Sequence, residues 1–164
     1  MRVLVVEDDL LLADVLAEAL LCDGHVVCGV ASTVAEAVTL ARRHRPDVAV
    51  LDMQLRRGER GSDVAKQLAD TDELGDIGIL YVTGEVERVI QDARVGHAYL
   101  GKPYRLATMN AALEIVRDIA TNGGTSHALP RGLKLMRSSG ADTQPGGQQK
   151  AAHHPASTAV AAPA

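Results

Sequence analysis

The sequence contains no phenylalanine and no tryptophan, and its three tyrosines, Tyr81, Tyr99 and Tyr104, fall in one later stretch. A folded core must therefore be filled with Val, Leu, Ile, Ala and Met. Apolar residues make up 46% of the 164; that suffices for one core, and the length suggests one domain. Cysteine is scarce. Cys22 and Cys28 stand at a spacing that matches no zinc or redox motif, so the expectation is two buried free thiols in a reducing, cytoplasmic compartment. Long hydrophobic runs are also missing. Met1-Arg2 is followed by only four apolar residues, Val3 to Val6, before Glu7. That argues against a signal peptide, and no stretch is long enough to span a membrane. Positive charge is short as well. The net charge of -4 divides into -7 over residues 1–122 and +3 over residues 123–164. An acidic domain binds nucleic acid poorly without specific contacts, so neither direct DNA binding nor membrane binding is expected.

What is present is a repeated alternation of apolar runs and helical periods. Val3 to Val6 reads as a buried strand ending in Glu7-Asp8-Asp9. Residues 10–21 follow as a helix, with Leu12, Val15, Leu16, Ala19 and Leu20 at three- and four-residue spacing, stopped by Asp23-Gly24. Residues 25–30 read as the second strand. Thr33 and Glu36 are placed for a capping box on a helix reaching about residue 45, closed by Pro46. Val48 to Leu51 is a valine-rich run that ends in Asp52, the pattern of a strand buried on both faces. Ser62 can cap a helix over residues 63–69. The fourth strand lies within residues 76–82, before Thr83-Gly84. A weak helix over residues 85–94 and a short strand over 97–100 precede Lys102-Pro103. Residues 104–121 carry Leu106, Met109, Leu113, Val116 and Ile119 on one face and end at Asn122-Gly123-Gly124. Helical connections imply parallel pairing, and the expected fold class is α/β, a doubly wound five-stranded parallel sheet with five helices.

Residues 123–164 differ in character. They hold six of the fifteen Gly and four of the six Pro, with no apolar period after Leu135, and read as a disordered tail on a domain of residues 1–122. Residues 129–136 offer a short docking segment as the alternative. His127, His153 and His154 lie in this tail and carry no metal expectation.

The strand ends carry the chemistry. The first ends in Glu7-Asp8, the third in Asp52, the fourth in Thr83, and the fifth just before Lys102. In a parallel sheet these ends share one edge, where sites are built. Converging carboxylates need a cation, and oxygen-only ligands favour a hard ion such as Mg²⁺. A lysine and a hydroxyl beside them suit a phosphoryl group. Each residue also has a plainer role open to it. Glu7-Asp8 and Thr83 can serve helix starts, Lys102-Pro103 can be a turn, and Tyr99 can be core.

Taken together, Glu7-Asp8, Asp52, Thr83 and Lys102-Pro103 resemble the signature set of the receiver domain of bacterial two-component response regulators. The resemblance covers about residues 1–121 and implies the flavodoxin-like strand order 2-1-3-4-5. It implies that Asp52 accepts a phosphoryl group from a histidine kinase or histidine phosphotransfer protein. Asp8, Asp52 and the backbone carbonyl of Gln54 would ligate Mg²⁺ or Mn²⁺, with Glu7 holding a metal-bound water. Lys102 would pair with the phosphoryl oxygens, Thr83 and Tyr99 would form the switch, and Gln54 and Glu85 would tune hydrolysis. Asp9 matches a variable position. The family often has proline four residues after the acceptor; here it is Arg56, in a charged loop Arg56-Arg57-Gly58-Glu59-Arg60 that bears on kinase choice or turnover. Tyr81-Val82-Thr83-Gly84 loosely resembles a receiver subgroup paired with a distinct class of histidine kinases.

The reading is a stand-alone signalling switch, not a turnover enzyme, whose output is a protein partner bound through residues 85–121. The alternative is a pseudo-receiver that binds partners without phosphorylation. An aspartyl-phosphate hydrolase is disfavoured because that class wants a second aspartate where Gln54 stands. Nucleotide binding lacks a glycine-rich loop after the first strand.

Overall fold

Runs of aliphatic residues build the centre of the sheet. In the computed structural model, which describes residues 1–136, the strands β1 (Arg2–Val6), β3 (Val48–Asp52) and β4 (Gly78–Thr83) are buried almost throughout. With β2 (Val26–Ala31) and β5 (Ala98–Gly101) they pair in parallel in the order β2-β1-β3-β4-β5. The strand period of two divides the side chains between two cores. Val3, Val5, Val48, Val50, Leu80 and Val82 pack under α1 (Leu10–Cys22) and α5 (Leu106–Asn122). Leu4, Val6, Ala49, Leu51, Ile79 and Tyr81 pack under α2 (Val34–His44), α3 (Gly61–Ala69) and α4 (Val86–Asp92).

In a core without Phe or Trp, Tyr81 is the largest fully buried side chain. Its hydroxyl donates to the Val95 carbonyl at 2.6 Å, so the ring fills the core with its polar atom satisfied. Burial pushes the phenol far above its ordinary range, with the Asp63 charge adding to it.

The sheet has a sixth strand that the sequence reading assigned to a disordered tail. β6 (Leu133–Leu135) pairs antiparallel with β5, setting Leu133 opposite Leu100 and Lys134 opposite Tyr99. The Met136 amide adds a bond to the His97 carbonyl at 2.9 Å. An uncovered β5 edge would leave a row of unpaired backbone groups; three residues suffice to pair it, and Leu133 is buried beneath. β6 lies within residues 129–136, the stretch that also reads as a short docking segment. The expectation of disorder for residues 137–164, with His153 and His154, lies outside the described residues. His127 pairs with Asp118 at 3.3 Å.

Other differences are local. The α3 start is capped by Arg60 and Asp63, whose carboxylate accepts the Arg60 amide at 3.1 Å, and not by Ser62. Thr33 caps α2 as expected, but Glu36 reaches back one residue further, to the amide and hydroxyl of Ser32 at 2.9 Å. Cys22 is exposed, because it ends α1 at the surface, and Cys28 is half-buried on edge strand β2. The α1 face also turns out differently: Ala13 and Leu20 are buried, while Leu12 and Val15 are 50% and 58% exposed. The helix carries more apolar residues than its contact with the sheet covers. No helix among the described residues is long and apolar enough to cross a membrane.

Candidate functional site

Alternation continues past the strand ends, so Glu7 and Asp52 follow Val5 and Val50 onto the α1/α5 side of the sheet. Lys102 reaches them from the end of β5, where its amide donates to the Thr83 carbonyl at 2.8 Å. The Lys102 ammonium lies 2.7 Å from Asp52 Oδ2 and 3.1 Å from Glu7 Oε2. The other Asp52 oxygen accepts the Gln54 amide at 3.2 Å. Asp52 is thus held by a side-chain cation on one oxygen and by the backbone on the other.

Electrostatics within this triad follow from burial. Burial raises the Glu7 carboxyl above its ordinary value, the Asp52 charge raises it further, and Lys102 opposes both. Burial alone would lower the Lys102 ammonium, but the hydrogen bonds and charges of Asp52 and Glu7 outweigh it and hold it raised. The lysine therefore stays cationic beside Asp52 at any physiological pH.

Asp8 takes a different partner. Its Oδ2 lies 3.2 Å from Arg56 Nε. Capping of α1 falls to Asp9, whose Oδ1 accepts the Leu11 and Leu12 amides at 3.0 and 3.2 Å. Glu7 Oε1 in turn accepts the Asp9 amide at 3.2 Å. The helix start is therefore served by Asp9 and not by Asp8.

The start of α3 touches the same strand end. A Cβ on Gly61 would lie 2.2 Å from the Asp52 carbonyl oxygen, so only glycine allows this approach. The sequence reading missed Gly61. Its signal is a glycine in the first turn of a helix, where alanine would be favoured by about 1 kcal/mol.

Above the triad is an open groove of about 410 Å³, walled by Leu12, Val15, Leu16, Tyr104 and Leu106 with Glu7, Asp52 and Lys102 at its base. The exposed part of the α1 face forms one wall.

The remaining expected residues divide. Thr83 is buried, and its hydroxyl accepts the Glu85 amide at 2.9 Å. Tyr99 is also buried; it pairs with Tyr81 in register, which makes it the diagonal neighbour of Thr83 on the same face. The Gln54 and Glu85 residues are exposed on the loops after β3 and β4.

Among the described residues no group of three or more His, Cys, Asp or Glu is arranged to hold a metal ion. An ion of the Mg²⁺ class needs no such cage: it takes one or two carboxylates and keeps several waters. The donor chemistry here is all oxygen, and the carboxylates outnumber the two cations, Lys102 and Arg56, that pair with them. The residues fit a hard divalent cation.

Comparison with known proteins agrees with this geometry. The family model of the response regulator receiver domain matches residues 3–114. The chain is 33% identical over 141 residues to the transcriptional regulatory protein PdtaR of Mycobacterium tuberculosis, an alignment covering 83% of this chain and 68% of that one. The signal receiver domain of a modulated diguanylate cyclase from Desulfovibrio desulfuricans superposes with a TM-score of 0.60 at 29% identity, over 73% of this chain and 95% of that one. The receiver domain of a Pseudomonas aeruginosa sensor histidine kinase, whose structure has magnesium coordinated in the active site cleft, shares the fold with a TM-score of 0.61 at 23% identity, over 71% and 96% of the two chains. A strand-end carboxylate under a lysine, parallel strands in this order and a family match over most of the described residues lead to one assignment: the protein belongs to the response regulator receiver domain family of two-component systems.

Proposed function

We propose that this receiver domain is a phosphorylation-controlled switch and that Asp52 is its phosphoacceptor. The observation that carries the reading is the Lys102–Asp52 contact of 2.7 Å at the base of an open groove, with the second carboxylate oxygen fixed by the Gln54 amide. In the transfer, an Asp52 oxygen forms a bond to phosphorus as the bond from phosphorus to the donor's histidine nitrogen breaks, and that nitrogen recovers its electron pair. Lys102 stays behind as the cation beside the new phosphoryl oxygens.

Asp8, Asp52 and the Gln54 carbonyl would hold Mg²⁺ or Mn²⁺, with Glu7 on a bound water. The ion would neutralise charge on the carboxylates and the transferring group. Gln54 and Glu85, on the two loops flanking Asp52, would control the access of hydrolytic water. The donor is a histidine kinase or histidine phosphotransfer protein. The groove suits a partner that presents an apolar helix face around its phosphohistidine.

Added charge at Asp52 gives the Thr83 hydroxyl, whose oxygen now accepts the Glu85 amide, an acceptor for its own proton and draws it toward Asp52. Thr83 and Tyr99 are diagonal neighbours, so that movement reaches β5 and the surface formed by residues 85–121. β6 lies on the same edge and extends that surface. A downstream protein preferring one arrangement would shift the population.

Beryllofluoride, which mimics the phosphoryl group, tests the switch. With Mg²⁺ present it should shift backbone amide resonances at Thr83, Glu85 and Tyr99 in wild type and leave Asp52→Ala unchanged. Binding with no response at Thr83 or Tyr99 would leave an acceptor without this switch. No binding in folded wild type would favour a phosphorylation-independent binding module.

A further inference from the structure

We propose that Arg56 gates the metal site: its guanidinium holds Asp8 in the metal-free protein and must release it before a divalent cation can bind. The inference rests on the reading of Asp8 as a metal ligand.

Asp8 is the one member of the acidic set that Lys102 does not serve. Lys102 bonds Glu7 and Asp52, and Asp8 is paired with Arg56 Nε at 3.2 Å. Arg56 is not placed there by accident of a long side chain on a loose loop. The loop folds back on itself, with the Leu55 amide bonded to the Glu59 carbonyl at 3.0 Å and Gln54 bridged to Arg60. Two contacts then anchor it to neighbouring helices. Glu59 accepts the Val34 amide at the start of α2 at 2.9 Å, and Arg60 pairs with Asp92 at the end of α4 at 2.6 Å. A loop fixed at both helices presents Arg56 toward Asp8.

Chemistry makes this a gate and not a permanent lock. A guanidinium does not lose its proton, so a rise in pH does not release it. Competition by a second cation can, because the Arg56 side chain is 68% exposed and water is ready to receive it. An exposed ion pair of this kind changes an equilibrium by a factor of only about two to five. The gate would therefore raise the Mg²⁺ concentration at which the site fills without closing it.

The test is Mg²⁺ affinity of the whole chain at fixed ionic strength, read from amide shifts at Asp8 and Asp52 in wild type, Arg56→Gln and Arg57→Gln. Arg57 is the exposed neighbour in the same loop, and its substitution removes the same charge. Arg56→Gln should bind Mg²⁺ about two- to five-fold more tightly, while Arg57→Gln matches wild type. In wild type the Arg56 Nε–H resonance should move toward that of a free arginine as Mg²⁺ is added. The gate is refuted if Arg56→Gln binds no more tightly, if both substitutions tighten binding equally, or if the Arg56 resonance stays in place. Measurable Mg²⁺ binding with equal affinities would sink the gate and leave Asp8 as a ligand. No Mg²⁺ binding by any of the three proteins would overturn both.

Discussion

Gly61→Ala delivers a steric push to the backbone of Asp52, the proposed phosphoacceptor. The new Cβ would lie 2.2 Å from the Asp52 carbonyl oxygen and 3.1 Å from its carbon, where side-chain carbons essentially never approach closer than 3.0 Å. The end of β3 or the start of α3 must therefore retreat by about 0.8 Å. The obstacle is backbone, so no side chain can rotate away. Overpacking of this kind costs about 1–3 kcal/mol. Alanine gives back up to about 1 kcal/mol through helix propensity and a less flexible unfolded chain. The net loss should be about 1–2 kcal/mol, read as a lower urea midpoint. Function should suffer more than stability, because a displacement near 1 Å at a reacting group can cost about 10²-fold in rate. The assay pairs urea unfolding with the initial rate of phosphorylation by acetyl phosphate and Mg²⁺. Gly124→Ala is the control, since nothing lies within 4 Å of its missing Cβ. Near-normal phosphorylation and stability in Gly61→Ala would refute the claim that α3 abuts Asp52.

Three further outcomes follow from the same structure. Burial and the Asp52 charge raise the Glu7 carboxyl, so the stability it contributes is present below its ordinary 4.5 and is lost as pH rises through the raised value. Metal-free Glu7→Gln should therefore gain in urea midpoint over wild type between pH 4 and 7; a gain that shrinks with rising pH would contradict this. His97 has the opposite sign: burial lowers it, and its Nδ1 accepts the Ile79 amide at 2.9 Å. Its contribution is present above the ordinary 6.5 and is lost as pH falls through the lowered value. His97→Asn, which keeps an acceptor without titrating, should flatten the fall in stability between about pH 7.5 and 5.5; an unchanged slope would clear His97. Finally, Leu133→Ala should lose about 2 kcal/mol in urea unfolding if β6 belongs to the core, and a change near zero would show that it does not.

The parts legible in the sequence are those with a period or a spacing. Buried runs such as Val48–Leu51 could be read as central strands because both faces are apolar, and the strand ends then fell on one edge without further information. Glu7, Asp52 and Lys102 meet as expected because strand order alone brings their backbones together. Contacts that depend on a loop's path were not legible. Nothing in the spacing of Arg56, Glu59 and Arg60 indicates that they bind Asp8, the α2 start and Asp92. Gly61 was passed over because a glycine near a helix start looks like loop chemistry until the neighbouring carbonyl is seen. β6 was missed for a different reason. Three residues in a glycine- and proline-rich segment carry no period of their own, and pairing is imposed by the open edge of β5. Likewise the three- and four-residue spacing in α1 marks a helix but not what covers its apolar face, and Leu12 and Val15 line the groove.

Phosphorylation of Asp52 is the claim on which the rest depends. The direct measurement is intact mass after exposure to acetyl phosphate and Mg²⁺, followed by borohydride reduction, which converts an aspartyl phosphate to homoserine and marks its position. The account predicts one phosphoryl group per chain, homoserine at Asp52, and no adduct in Asp52→Ala. An adduct at another residue, or none in folded wild-type protein under conditions that also fail to bind beryllofluoride, would contradict it.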